Sequence, residues 1–205
     1  MSVRIGVLGG TFDPVHYGHL ILAEEARAAV PLDQVLLVPA GQPPHKLDEP
    51  HTPARHRLAM LELAIAGNPA LGISRVDVDR PGPHYSVDMV HLVRQESPPD
   101  AEIFFIMGLD SLTNILSWHD PAGLLAQCRL IVAERPGYAV DLAELVARLP
   151  ALEGRVDFIA MPLIQISGAD LRRRVRQGRP IRYQAPETVR AYIEQHRLYQ
   201  AGTDR

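Results

Sequence analysis

The chain has 205 residues, of which 46% are hydrophobic and 22% charged, and its formal net charge at pH 7 is −3. This composition is typical of a globular protein with a substantial core, and we expect one domain over residues 1–205. A net charge so close to zero gives no indication of a general nucleic-acid or anionic-membrane surface, so neither partner is expected. No apolar run approaches the ~20 residues of a membrane span, and no signal peptide is evident. A chain with one cysteine can form no internal disulfide, which fits a cytoplasmic protein. That cysteine, Cys128, lies among apolar residues, which favours a buried structural thiol over a nucleophile.

Apolar runs alternate with segments of helical spacing along the chain. The predicted strands cover residues 5–8, 34–39, 71–79, 103–107, 130–133 and 158–161. The predicted helices cover residues 20–26, 53–65, 86–95, 169–177 and 186–196, with Thr52-Pro53 supplying a cap and a first-turn proline for the second. This order predicts a doubly wound, parallel α/β sheet of Rossmann-like type with a small C-terminal helical portion from about residue 168. Such sheets bind ligands beyond the carboxyl ends of their strands.

The most informative stretch is GGTFDPVHYGH, residues 9–19, which lies between the first strand and the first helix. Glycines let the backbone approach a ligand closely, and the free N–H groups of a helix start favour an anion. His16 and His19 lie at the same helix start, where both could face a phosphate. Glycine-rich turns between a strand and a helix are also common without a ligand, and neither the dinucleotide fingerprint G-x-G-x-x-G nor the P-loop pattern is present here.

This stretch resembles the (H/T)xGH signature of nucleotidyltransferases, and more narrowly the opening of bacterial nicotinate mononucleotide adenylyltransferases. The resemblance covers about residues 3–199. It implies that ATP and nicotinate mononucleotide react to give nicotinate adenine dinucleotide and pyrophosphate in NAD biosynthesis, with Mg²⁺ accompanying ATP. It also implies that ATP is bound in this stretch by Gly9, Gly10, Thr11, Phe12, His16, Gly18 and His19.

The loop after the second strand contains the sequence PPHK, which ends at Lys46, the only lysine in the chain. Taken alone, a His-Lys pair in a loop is usually just solvated. Here it matches the family's PPHK loop, which implies that His45 and Lys46 contact substrate, with Lys46 as a mobile charge on phosphate. Arg57, near the start of the next helix, is expected to support phosphate or this loop, although a surface arginine would also explain it.

Two further segments are predicted to hold the acceptor. Tyr85, Ser86 and Asp88 stand at a helix start, where simple capping would also explain them. The family commonly has SYT here, which implies that the N–H of Ser86 holds the nicotinate carboxylate. Trp118 and His119 resemble the family's stacking tryptophan and the following backbone N–H, an arrangement suited to a flat heterocycle.

The ends of the fourth and fifth strands carry two weaker matches. Gly108 and Asp110 resemble the family's G-x-D motif, which lies against the nucleotide, although an aspartate here could also be a helix cap. Arg135 belongs to a turn that resembles the family's RPG, and it is predicted to contact substrate. Glycine and proline alone would explain that turn.

The sequence QISGADLR, residues 165–172, is the second signature. Ser167 and Asp170 could form a capping box. The family has ISSTxIR here, a helix start that binds the ATP triphosphate, and Ile166, Ser167 and Arg172 match it. Gly168 and Ala169 replace a serine and a threonine, so two hydroxyl donors are missing.

The predicted catalytic residues are His16, His19, Lys46 and Arg172, acting by charge stabilisation without a protein nucleophile. No protein metal site is predicted, since no dense carboxylate cluster is present. Two alternatives remain open: another acceptor, such as nicotinamide mononucleotide or phosphopantetheine, or a nucleotide-binding regulator that has lost catalysis. A homo-oligomer is compatible with the sequence, which does not fix the oligomeric state.

Overall fold

The computed structural model describes residues 2–41, 51–134 and 140–200. Its centre is a six-stranded sheet in the order β3-β2-β1-β4-β5-β6, and every neighbouring pair is parallel. The strands are β1 (Arg4–Gly10), β2 (Gln34–Pro39), β3 (Leu71–Ile73), β4 (Glu102–Gly108), β5 (Arg129–Ala133) and β6 (Val156–Ile159). The doubly wound α/β prediction is therefore confirmed.

Helices cover both faces of this sheet. They are α1 (Tyr17–Ala29), α2 (Ala54–Ile65), α3 (Ser86–Glu96), α4 (Leu109–Thr113), α5 (Pro121–Gln127), α6 (Leu142–Arg148), α7 (Gly168–Arg176) and α8 (Glu187–Gln195). In the described part of the chain, no helix is long and apolar enough to cross a membrane.

The alternation of side chains along β4 builds two cores. Phe104 and Ile106 pack into the core under α1, α2, α7 and α8, whereas Phe105 and Met107 pack into the core under α3 to α6. Successive residues of a strand point to opposite faces, so a strand covered on both faces is apolar throughout. The tail helices α7 and α8 share the first of these cores.

Some predicted boundaries were wrong. The third strand ends at Ile73 and not at Asp79, because the N–H groups of Val78 and Asp79 turn back to the carbonyl of Arg75 at 2.8 and 3.0 Å. The sixth strand is shifted to 156–159, where it pairs with β5. Pro53 occupies the N-cap position of α2 and not its first turn. The helices α4, α5 and α6 were not predicted, since their five to seven residues are too few for a clear helical pattern.

The order of the strands reverses between β1 and β4, which lie side by side in the sheet. The chain moves outward from β1 through β2 to β3, and then returns to β4 and continues the other way. A crevice forms at such a reversal, beyond the carboxyl ends of the two strands. Here those ends are Gly10 and Gly108, so the glycine-rich stretch opens into the crevice.

Candidate active site

A cavity of about 950 Å³ occupies this crevice. It is large enough for a nucleotide-sized ligand, because small-molecule sites usually enclose several hundred Å³. The glycine-rich stretch forms one side, the start of α3 with the segment after α4 forms another, and the ends of β1 and β4 form the floor. The polar or aromatic lining residues include Thr11, His19, Asp77, His84, Tyr85, Ser86, Phe105, Asp110, Ser111, Asn114, Ser117, Trp118 and His119.

The loop from Gly10 to His16 bends around the buried side chain of Phe12. Phe12 is 1% exposed and has a φ of 49°, a left-handed conformation that costs a non-glycine residue about 1–2 kcal/mol. A Cβ atom at Gly10 would lie 3.1 Å from the Phe12 ring, so glycine lets the ring fold under the strand end. The Phe12 ring then meets the His19 ring edge-on, with 4.8 Å between centroids. Backbone strain of this kind concentrates at functional sites.

The two histidines are stacked and do not both face the cavity. Their ring centroids are 3.7 Å apart at an interplanar angle of 22°. His19 lines the cavity, while His16 is 5% exposed and lies behind the His19 ring. The N–H of His16 donates to Nδ1 of His19 at 3.3 Å, which leaves the proton of the neutral His19 ring on Nε2. A Cβ atom at Gly18 would lie 3.0 Å from Nδ1 of His16, which explains the glycine between them.

Burial keeps both imidazoles neutral. It lowers the pKa of His16 from 6.5 to about 4. The pKa of His19 is lowered well below 6.5 by burial and then by the nearby His16. At pH 7 the pair is therefore a stack of neutral rings, and His19 can donate an N–H to a phosphate oxygen without a charge of its own.

The His16 ring should make the protein sensitive to acid. The pKa of His16 is lower in the folded protein than in the unfolded chain. As the pH falls from 6.5 to 4, the unfolded chain therefore binds a proton at this residue before the folded protein does. The stability that is present above pH 6.5 is lost over this range. In urea titrations between pH 4.5 and 6, His16→Asn should reduce the slope of unfolding free energy against pH by about 1.4 kcal/mol per unit. His91→Asn, at an exposed histidine of α3, measures the effect of the substitution itself. An unchanged slope in His16→Asn would contradict the prediction.

The opposite side of the cavity is built from aromatic rings and a helix start. Tyr85 is the N-cap residue of α3, but its side chain does not cap the helix. The N–H groups of the first turn, which begins at Ser86, therefore receive no hydrogen bond from a capping side chain. Its ring stacks on His119 at 4.1 Å between centroids and 26° between planes. Trp118 lines the same side and meets Phe105 edge-on at 5.9 Å. A flat ligand with a carboxylate would find both a stacking surface and N–H donors here.

Arg57 holds the glycine-rich loop from behind. It is 2% exposed, and its guanidinium donates to the carbonyl oxygens of Thr11 at 2.9 Å, Ala40 at 2.8 Å and Thr52 at 2.9 Å. Burial lowers the pKa of Arg57, although the nearby Asp13 raises it. Arg57 is therefore not a surface arginine, and its hydrogen bonds hold the glycine-rich loop, a role that was not predicted. The PPHK loop that it was predicted to support lies outside the described residues.

The start of α7 lies directly against this loop. Ser167 caps the helix by accepting the N–H of Asp170 at 3.2 Å, and the Asp170 carboxylate pairs with Arg173 and Arg174, so one half of the predicted capping box is present. A Cβ atom at Gly168 would lie only 2.7 Å from the carbonyl oxygen of Asp13. Nη1 of Arg172 donates to that same oxygen at 2.6 Å. The two sequence signatures, 9–19 and 165–172, therefore meet in the fold.

Comparisons with known proteins agree with this geometry. A family model described as Cytidylyltransferase-like matches residues 7–174. A protein from Thermomicrobium roseum is 54% identical over 96% of this chain and 91% of its own length, and one from Roseiflexus sp. is 47% identical over 97% and 98%. Each is named "Probable nicotinate-nucleotide adenylyltransferase". The chain belongs to the nicotinate-nucleotide adenylyltransferase family.

Solved structures share the fold of this family member. The nicotinic acid mononucleotide adenylyltransferase of Plasmodium falciparum, complexed with NaAD, superposes with a TM-score of 0.77 over 96% of this chain and 97% of its own, at 18% identity. The same enzyme complexed with APC gives a TM-score of 0.75 at 19% identity.

The structure brings many of the predicted site residues into one cavity. Those that line it are Gly9, Gly10, Thr11, His19, Tyr85, Ser86, Gly108, Asp110, Trp118 and His119. Those that do not line it are Phe12, His16, Gly18, Asp88, Ile166, Ser167 and Arg172. His45, Lys46 and Arg135 lie outside the described residues. The role of each residue in binding or catalysis stays a prediction.

Several polar residues of the cavity were not predicted, and two of them, Asp77 and His84, are buried. Asp77 is fully buried and pairs through Oδ1 with Arg80 at 2.7 Å, while its Oδ2 has no partner among the described residues. Burial raises the pKa of Asp77 despite the arginine. His84 is 7% exposed, and its Nε2 lies 3.1 Å from the carbonyl oxygen of Arg80. Asp77 was missed because the third strand was predicted to continue to residue 79, which made Asp77 a strand residue. His84 could have been found, because it stands where the family's SYT has a serine.

Proposed function

We propose that this protein transfers the adenylyl group of ATP to nicotinate mononucleotide, releasing pyrophosphate and forming nicotinate adenine dinucleotide. One observation carries the proposal: a single cavity is lined by Gly9, Gly10, Thr11 and His19 on one side and by the rings of Tyr85 and Trp118 on another. The first side would hold the phosphates and the second the pyridine ring. The reaction needs these two environments within the length of a dinucleotide. Membership of the family supports the same chemistry.

The proposed step is a direct in-line displacement. A 5′-phosphate oxygen of the mononucleotide forms a bond to the α-phosphorus of ATP, and the bond from that phosphorus to the bridging oxygen breaks. The electron pair leaves with pyrophosphate. Cys128 takes no part as a nucleophile, because it is 3% exposed, its thiol donates to the carbonyl of Leu124 at 3.3 Å, and burial raises its pKa to about 12.

Catalysis is then positioning and charge stabilisation by groups fixed before the reaction. His19 donates its Nε2 proton to a phosphate oxygen in the transition state, and His16 holds the His19 ring through the stack and the backbone hydrogen bond. The N-terminus of α1 adds its dipole. Arg172 and Lys46 neutralise the leaving pyrophosphate, and Arg172 already lies at the loop.

ATP enters as its magnesium complex. Nucleotidyltransferases of this family generally use a divalent metal with ATP. The described residues contain no group of three or more His, Cys, Asp or Glu side chains that could hold a metal ion. We propose that Mg²⁺, bound with ATP, would be held mainly by phosphate oxygens and water, as is usual for this ion, and would neutralise charge on the phosphates. We also propose a cytoplasmic location, because ATP is the substrate.

The acceptor is proposed to be recognised by its carboxylate. The N–H groups at the start of α3 and at His119 lie beside the Tyr85 and Trp118 rings, where a pyridine ring would stack. A carboxylate accepts such hydrogen bonds more strongly than an amide, which also brings N–H groups that would face these donors. The acid is therefore favoured over the amide.

Pyrophosphate release with ATP and Mg²⁺ tests the function. With nicotinate mononucleotide we expect kcat/KM to exceed that with nicotinamide mononucleotide by about tenfold or more, since hydrogen bonds to a charged group contribute about 1.5–3 kcal/mol. Equal rates would keep the adenylyl transfer and refute the carboxylate pocket. Release only with another acceptor, such as phosphopantetheine, would replace the substrate. ATP binding without release with any acceptor would favour the regulator.

A further inference from the structure

A buried carboxylate in the glycine-rich loop ties together distant parts of the chain. Asp13 is 3% exposed. Its Oδ1 accepts the hydroxyl of Tyr199 at 2.6 Å, and its Oδ2 accepts the N–H of Thr52 at 3.2 Å. Nη1 of Arg172 lies 3.9 Å from the same Oδ2 and also donates to the Asp13 carbonyl. Four segments therefore meet at one side chain: the loop, the residues before α2, helix α7 and the chain after α8.

Tyr199 contributes to this meeting point from the C-terminal segment. Its side chain is buried, with 9% of the residue exposed, and its φ is 63°, a left-handed conformation that only favourable contacts retain in a non-glycine residue. Burial and the Asp13 charge raise the pKa of Tyr199 well above 10. Its hydroxyl therefore remains a proton donor to the carboxylate at any pH where the protein works.

Tyr199 does not line the substrate cavity. It packs in the core under α1, α2, α7 and α8, whereas Trp118 packs against the core on the opposite face of the sheet. A contact with the acceptor therefore does not explain the tyrosine. Its hydroxyl donates to Asp13, which lies three residues before His16 in the chain and is bonded through its carbonyl to Arg172. The hydroxyl also forms a hydrogen bond with the side chain of Thr52.

We propose that Tyr199 is a positioning residue, which fixes the Asp13 carboxylate and thereby the loop that carries His16 and His19 and the place of Arg172. This inference rests on the proposed function for its effect on catalysis, and on geometry alone for its effect on the loop. Without the hydroxyl, the buried carboxylate loses its shortest hydrogen bond and the loop gains freedom to shift. Small shifts of groups around a reacting phosphate have large effects on rate.

Tyr199→Phe removes the hydroxyl and keeps the ring. We expect the ATP dissociation constant, measured by titration calorimetry, to rise about tenfold, with a loss of similar size in kcat. The KM for nicotinate mononucleotide should change less than twofold, because the aromatic side of the cavity is untouched. A merely structural role would lower the melting temperature but leave the ATP affinity of the folded protein unchanged.

Tyr192→Phe is the matched control. Tyr192 lies on α8, and its hydroxyl lies 2.9 Å from Nδ1 of His56, away from Asp13. This variant loses a tyrosine hydroxyl from the same C-terminal region, and we expect unchanged ATP affinity and kcat. If Tyr199→Phe also binds ATP within twofold of the wild-type protein, the proposal is overturned.

Asp13→Asn tests whether the hydroxyl acts through the carboxylate. The amide removes the buried charge that Tyr199 compensates, so adding Tyr199→Phe to Asp13→Asn should cost less than about threefold in ATP affinity. An equal cost in both backgrounds would refute the route through Asp13.

Amide hydrogen exchange of a peptide covering residues 9–20 gives a readout without substrate. Tyr199→Phe should speed this exchange, whereas Tyr192→Phe should not. A wild-type protein that releases no pyrophosphate would refute the function, and the exchange result would still decide the inference.

Discussion

Replacing His19 by alanine is expected to lower kcat for pyrophosphate release about 10²–10³-fold, the usual loss for one transition-state donor. His19 lines the cavity, and its hydrogen bond from the His16 N–H leaves Nε2 as the donor nitrogen. The loss should appear in kcat at saturating substrates, because the donor acts where charge develops and not on the bound ground state. The rate should be measured with ATP, Mg²⁺ and nicotinate mononucleotide.

His91→Ala is the control for this variant. His91 is an exposed histidine of α3, whose Nδ1 lies 3.3 Å from the side-chain oxygen of Gln127, and its loss should leave kcat unchanged.

His16→Ala should show a loss of kcat in the same range as His19→Ala, since the His16 ring holds the His19 ring in the stack. Near-full turnover in His16→Ala would remove that residue from the mechanism, and near-full turnover in His19→Ala would remove the donor itself.

The arrangement of the sheet followed from local pattern. Ile103–Met107 is apolar on every residue, which predicts a strand covered on both faces, and β4 has that environment. Strands separated by helices imply a parallel sheet, which in turn places Gly10 and Gly108 at one edge. The position of the cavity was therefore predictable from strand order and glycine placement.

The division of labour within the site was not predictable in the same way. Spacing alone placed His16 and His19 at one helix start, but the stack that buries one behind the other depends on Phe12 and Gly18. The stack of Tyr85 on His119 joins segments that no local pattern connects. The bond from Tyr199 to Asp13 spans 186 positions in the chain, and no periodicity reports such a contact.

The second large effect is expected from restoring the family's serine at position 168. Gly168→Ser should lower kcat/KM for ATP by up to about 10²-fold, the loss that a misplacement of about 1 Å can cause. The new Cβ would lie 2.7 Å from the Asp13 carbonyl oxygen, a backbone atom that cannot move alone. Either the start of α7 or the loop before α1 must shift, and the Arg172 hydrogen bond to that oxygen would lengthen. Steady-state kinetics at varied ATP give this value.

Ala169→Thr is the matched control, because it restores the neighbouring hydroxyl of the family at an exposed position. We expect its kcat/KM for ATP to be equal to that of the wild-type protein or higher. If Gly168→Ser were as active as the wild-type protein, the close approach of α7 to the loop would not matter for catalysis. If it were more active, the missing serine hydroxyl, and not the packing of α7 on the loop, would limit the activity of this protein. A loss confined to Gly168→Ser would mean that glycine has exchanged one phosphate donor for a tighter contact between the two signatures, with Arg172 held at their junction.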